Sequence, residues 1–124
     1  MKFHLQTKNI KLHPAQEYII EKGYRKIERL CANFPDELKA LQVIVAYHNP
    51  PKNFGVHLKL DLPGTHMATH ASDFKFNLAF KEALNKMLAR IRKYKETLRR
   101  EFEYEKVAQM KGKLPATELT NTSQ

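Results

Sequence analysis

Eight bases and only two acids, Glu82 and Glu96, fall between Lys81 and Arg100. Lysine and arginine at that density neutralise phosphate, the sequence-independent part of nucleic-acid binding. At 100° per residue, Lys86, Lys93 and Arg100 repeat every seven positions on one helix flank, and Arg90 joins them. Lys81, Arg92 and Arg99 lie on the other flank. Between the two rows runs an apolar stripe of Phe76, Phe80, Ala83, Leu84, Met87, Leu88, Ile91, Tyr94 and Leu98, reaching toward Phe102. The bases therefore border a buried face. The plainer reading of the same run is a solvated helix face whose long side chains lend apolar stems to the core edge. A smaller basic set, Lys22, Arg25, Lys26 and Arg29, is nearly cancelled by Glu17, Glu21 and Glu28, and i,i+4 surface pairing accounts for much of it.

Other chemistries have weaker support. His4, His48, His57, His66 and His70, five of six histidines, sit in or beside strand-like segments at polar positions of the alternation. They lack the HxH and HExxH spacings, and one cysteine cannot make a CxxC knuckle, so no metal site and no cofactor is expected. Contact with RNA or a plain wet sheet face suits them better. No GxSxG, phosphate-cradling glycine loop or GxGxxG occurs, which leaves no catalytic residues to name and no small-molecule substrate to expect. Cys31, at a helix end, reads as a small buried hydrophobe.

The elements that must hold these residues follow from patterning. Lys2–Thr7 alternates as a strand. His13-Pro14 opens a helix with proline at its first position, though histidine caps poorly. Its stripe is Ala15, Tyr18, Ile19, Ile27 and Leu30, with Gly23 as an interior weak point, and Phe34-Pro35-Asp36 ends it. Leu41–His48 is apolar on both faces, as a central strand should be. Asn49-Pro50-Pro51 must turn. Phe54–Leu62 alternates cleanly, with Phe54, Val56, Leu58, Leu60 and Leu62 on one side. Pro63-Gly64 turns again, Met67–Ala71 is a weak fourth strand, and Ser72 or Asp73 is placed to cap the long helix.

The order β-α-β-β-β-α predicts an α+β fold. A crossover sets the first two strands parallel, and two tight turns add antiparallel strands, giving a four-stranded mixed sheet. One sheet face can take both helices, leaving the other wet. A helix from Asp73 to about Tyr104 would be about 48 Å long and overrun a strand of about 26 Å. The 124 residues make one domain, residues 1–106, with 107–124 expected to be a disordered tail. The net charge of +9 suits a polyanionic partner. No apolar run approaches the roughly 20 residues of a membrane span, no signal peptide is visible, and the lone thiol fits the cytoplasm.

The chain resembles the ribosome hibernation-promoting factors and ribosome-associated translation inhibitors. The likeness covers about residues 2–100. It rests on the element order, on Leu12-His13-Pro14-Ala15, and on Tyr24-Arg25-Lys26-Ile27-Glu28-Arg29-Leu30. Further along it rests on Ala71-Ser72-Asp73, Ala79-Phe80-Lys81-Glu82-Ala83-Leu84-Asn85-Lys86-Met87 and Ile91-Arg92-Lys93-Tyr94-Lys95. The resemblance implies a fold like a double-stranded-RNA-binding domain, with two helices on one face of the sheet. It implies a non-enzymatic factor that binds the small ribosomal subunit and its rRNA in the mRNA and tRNA channel, at the A and P sites. Such a factor keeps idle ribosomes inactive under nutrient stress and in stationary phase, and is expected to be a monomer off the ribosome. By position, Lys26, Arg29, Lys86 and Lys93 would contact rRNA; the helical wheel adds Arg90, Arg92 and Arg100. His13 stands where the family has Thr or Ser, and Leu88-Ala89 where it has a charged pair. The alternative reading is a stand-alone module for other structured RNA.

Overall fold

The computed structural model describes the backbone of residues 1–113 and the side chains of residues 1–103. The strands are β1 (Lys2–Lys8), β2 (Ala40–His48), β3 (Asn53–Leu62) and β4 (Thr65–Asp73); the helices are α1 (Pro14–Leu30) and α2 (Phe76–Lys113). A 3-10 turn at Asp36–Leu38 precedes β2. The expected order, β-α-β-β-β-α, is the observed one, and the fold is α+β.

Strand order in the sheet is β1-β2-β3-β4. β1 runs parallel to β2 across the α1 crossover, and β2, β3 and β4 form an antiparallel meander. β2 is interior, as its two apolar faces require. Register aligns Leu41 with Leu60 and Leu60 with Met67; Val43 meets Leu58, and Leu58 meets Thr69. All of these side chains are buried. Thr69 is the polar exception on this face, and its hydroxyl donates to the Ala83 carbonyl of α2 at 2.9 Å. That bond removes the cost of burying an unpaired hydroxyl and ties β4 to the helix above it.

The chain divides into two compact units at Ile91/Arg92. In the first, the α2 stripe is as the spacing predicts: Phe76, Phe80, Ala83, Leu84, Met87, Leu88 and Ile91 are all buried, and Ala79 is buried with them. Phe76 meets Phe54 edge-on, with ring centroids 6.1 Å apart, and stacks with Phe80 at 5.9 Å. In the second unit Tyr94 and Leu98 are half-buried, whereas Phe102 is 67% exposed, so the stripe does not extend that far.

Three local expectations need correction. The buried line of α1 is Ile20, Gly23 and Ile27, continued by Cys31; Ala15 is exposed and Tyr18 is 59% exposed. The line runs through a glycine because α2 packs there, and apolar spacing alone passes over a residue with no side chain. Second, α2 begins at Phe76 rather than Asp73. β4 extends to Asp73, whose Oδ1 accepts the Lys75 N–H at 3.1 Å in a local turn, and the Lys75 carbonyl starts the helical bonding by accepting from Ala79. Third, α2 runs on to Lys113, since the residues after Tyr104 include no strong helix breaker before Gly112. Residues 114–124 of the expected tail lie outside the described residues.

Candidate nucleic-acid interface

α1 starts at Pro14 with His13 as its cap in extended conformation. The cap works from the other side: the Gln16 side chain accepts the His13 N–H at 3.1 Å. At the far end, Arg29 sits in the last turn, where its charge complements the helix dipole. Lys26 and Arg29 are exposed one turn apart, and neither forms an ion pair among the described residues. Their neighbours are engaged. Arg25 pairs with Glu21 at 3.1 Å, and Lys22 lies over the Tyr18 ring at 5.3 Å. The acids of α1 therefore spare the two bases that the sequence nominates.

On α2, Lys86 and Arg90 are exposed one turn apart. Lys86 has local work: its ammonium lies 3.1 Å from Glu82 and donates to the His70 carbonyl on β4 at 3.1 Å. Arg90 has no ion pair among the described residues. The second unit carries Arg92, Lys93 and Arg100, all exposed; Arg100 pairs with Glu96, while Arg92 and Lys93 form no ion pair among the described residues. The sequence-nominated residues thus fall into two groups. Lys26, Arg29, Arg90, Arg92 and Lys93 present unneutralised charge, whereas Lys86 and Arg100 share theirs with an acid one turn away.

The apolar groove between β1 and α1, about 580 Å³, is lined by Phe3, Leu5, Tyr18, Ile20 and Tyr24 and edged by Glu17 and Glu21. Its acids turn phosphate away. Tyr24 closes one side, edge-on to Phe3 with ring centroids 4.9 Å apart and its hydroxyl donating to Glu28 at 3.0 Å. Burial and that carboxylate hold its phenol above the usual range.

The uncovered sheet face is a second basic surface. Register places His57 beside His70, and their rings stack at 5.4 Å and 19°. Asp61 faces His66, with Oδ1 2.7 Å from Nδ1. Lys2, Lys8 and Lys59 are exposed on the same face. Sequence reasoning singled out the histidines; the same alternation sets Lys59 beside His57, but the lysines of this face were given no role. Among the described residues no three His, Cys, Asp or Glu side chains stand together to hold a metal ion, and no helix is long and apolar enough to cross a membrane.

Comparison with known proteins matches residues 3–99 to a family model described as Sigma 54 modulation protein / S30EA ribosomal protein. The Protein Y N-terminal domain of Thermus thermophilus superposes with a TM-score of 0.63 at 18% identity, covering 76% of this chain and 99% of that one. A ribosomal subunit interface protein from Coxiella burnetii gives 0.60 at 17% identity, covering 77% and 99%. A search among curated proteins found no match. At such identities the two structures speak for the fold, while the family match spans every basic residue discussed above except Lys2 and Arg100.

Proposed function

The chain belongs to the Sigma 54 modulation protein / S30EA ribosomal protein family, and from that premise we propose that it binds the small ribosomal subunit and holds idle ribosomes inactive. It does so by occupying the mRNA and tRNA channel at the A and P sites, acting by occupancy rather than by catalysing a reaction. The observation that carries this reading is the set of exposed, unneutralised bases on both helices: Lys26, Arg29, Arg90, Arg92 and Lys93. Structured RNA is recognised largely through shape and phosphate, and such a set supplies the phosphate contacts. The Coxiella burnetii neighbour, a ribosomal subunit interface protein, agrees with that partner.

Co-sedimentation with purified small subunits tests the proposal. Arg90 and Lys93 are the residues to reverse, because Lys86 also holds the His70 carbonyl and its loss would disturb β4. Arg90→Glu with Lys93→Glu should lower affinity at least tenfold and leave the melting temperature nearly unchanged, as exposed substitutions usually shift stability by only about 0.5 kcal/mol. Removing two phosphate contacts should also flatten the dependence of log K on log salt by about 1.4 to 1.8. Lys106→Glu with Lys111→Glu makes the same change in net charge outside the family match. Equal loss in both variants would replace the site with generic charge. Undiminished binding in the presence of excess mRNA and tRNA would remove the channel from the proposal.

A further inference from the structure

The uncovered sheet face has an unbalanced centre. His57 and His70 stack across the β3–β4 pair. Lys59 follows His57 two residues along the same face, and Lys8 of β1 is close enough to act on the His57 ring electrostatically. Among the described residues no carboxylate pairs with these groups. Asp61, the acid of this face, is engaged with His66 at 2.7 Å, and neither Lys8 nor Lys59 forms an ion pair among the described residues. Opposite charges across neighbouring strands stabilise a sheet and like charges oppose it, so fold stability alone would favour an acid here.

Beside this centre the same face carries further donors, the exposed His48 and Ser72. Gly55 offers no side chain. It is itself buried, and a Cβ built on it would lie 3.7 Å from His48 Nε2 and 3.9 Å from Ser72 Oγ, so an exposed imidazole and an exposed hydroxyl flank this position. Imidazole, hydroxyl and ammonium donors on one exposed sheet face suit a phosphate oxygen, whose own charge would supply the missing balance.

We propose that the uncovered face of the sheet is a second RNA-binding surface, gripping backbone phosphate through His57, His70, Lys8 and Lys59 and taking up protons as it does so. The surface is separate from the basic residues of the helices, and the proposal stands whether or not the RNA is ribosomal. In the free protein, burial and then the neighbouring His70, Lys59 and Lys8 push the His57 imidazole below its ordinary value, so it is neutral near pH 7. A bound phosphate reverses the electrostatic part of that push and favours the imidazolium. By linkage, RNA binding must then tighten as pH falls through the imidazole range, up to tenfold per pH unit for each proton taken up.

The test uses the full chain and a twelve-nucleotide oligouridylate, with affinity measured by fluorescence anisotropy at pH 7.5 and pH 6.0. The wild type should bind severalfold more tightly at pH 6.0, and His57→Gln with His70→Gln should lose most of that gain. Both rings are exposed, so the fold should tolerate the change, which circular dichroism would verify. Lys59→Gln should weaken binding at both pH values while keeping the gain. In parallel, NMR titration should show the His57 imidazole protonating at higher pH with the oligonucleotide than without it. Retention of the full pH gain by the double histidine variant would overturn the proposal, as would a His57 signal indifferent to RNA. An equal response to inorganic phosphate at the same phosphate concentration would overturn the assignment to RNA. Failure of small-subunit co-sedimentation would instead count against the ribosomal role and leave this surface standing.

Discussion

Phe80 occupies the space that a side chain on Gly23 would need: a Cβ built on Gly23 would stand 2.6 Å from both Cε2 and Cζ of the ring. Phe80 is 3% exposed and stacked on Phe76, so it has little room to retreat. The glycine that looks like a weak point in α1 is where the two helices meet. Gly23→Ala gains about 1 kcal/mol of helix propensity, but overpacking costs about 1 to 3 kcal/mol. The expected result is net destabilisation, read as a lower urea midpoint at unchanged slope. An unchanged or raised midpoint would mean that the helices part without cost.

Lys39 shows the same dependence on tertiary context. It is 4% exposed, and its ammonium donates to the Cys31 carbonyl at 3.1 Å, capping the end of α1 from the start of β2; Asp36 lies 3.8 Å away. Lys39→Met keeps the stem and removes the donor. The Cys31 carbonyl still accepts the Phe34 N–H, so the loss should be about 1 kcal/mol, near the typical worth of one hydrogen bond. Thermal melts would report it, and a neutral result would show that the ammonium contributes nothing to the cap.

Acid should weaken the fold partly through His57. Its folded pKa lies below the ordinary 6.5, so the unfolded chain binds the proton more readily. Stability is therefore lost as pH falls through that ordinary value toward the folded one. Asp36, held below the usual carboxylate range by the Met1 ammonium, contributes stability that disappears in a more acidic window. Urea titrations at pH 7.5 and 5.5 should show a smaller drop for His57→Gln than for the wild type. An identical drop would remove His57 from the account.

Much of this was legible in the chain. The Phe54–Leu62 alternation, the double-faced Leu41–His48 strand and the Phe76–Ile91 stripe each carry a period that only one element satisfies, and the strand order follows from the turns. The α1 stripe was not legible, because its central buried residue is a glycine whose burial is decided by Phe80. Nor was the start of α2: Asp73 has a good capping side chain, but β4 claims its backbone. At the interface, spacing found the bases but not their occupancy. Lys86 and Arg90 look alike on a wheel, and only the structure shows that Lys86 is already committed to Glu82 and His70.

The sheet order has a kinetic side. β2, β3 and β4 are joined by short turns and can zip together as a local meander, whereas β1 reaches β2 only after the whole segment 9–39 has closed. Loop closure of that length is the slow kind of contact, so the meander should lead folding and β1 should arrive late. β1 also has a neighbour on one side only and just one partly buried residue, Leu5. It is therefore the strand that opens at least cost in the native state, and its amides should exchange with solvent ahead of those in β2 and β3. Because Lys8 rides on β1, each such opening withdraws one cation from beside His57 while the meander, with His57 and His70, stays folded.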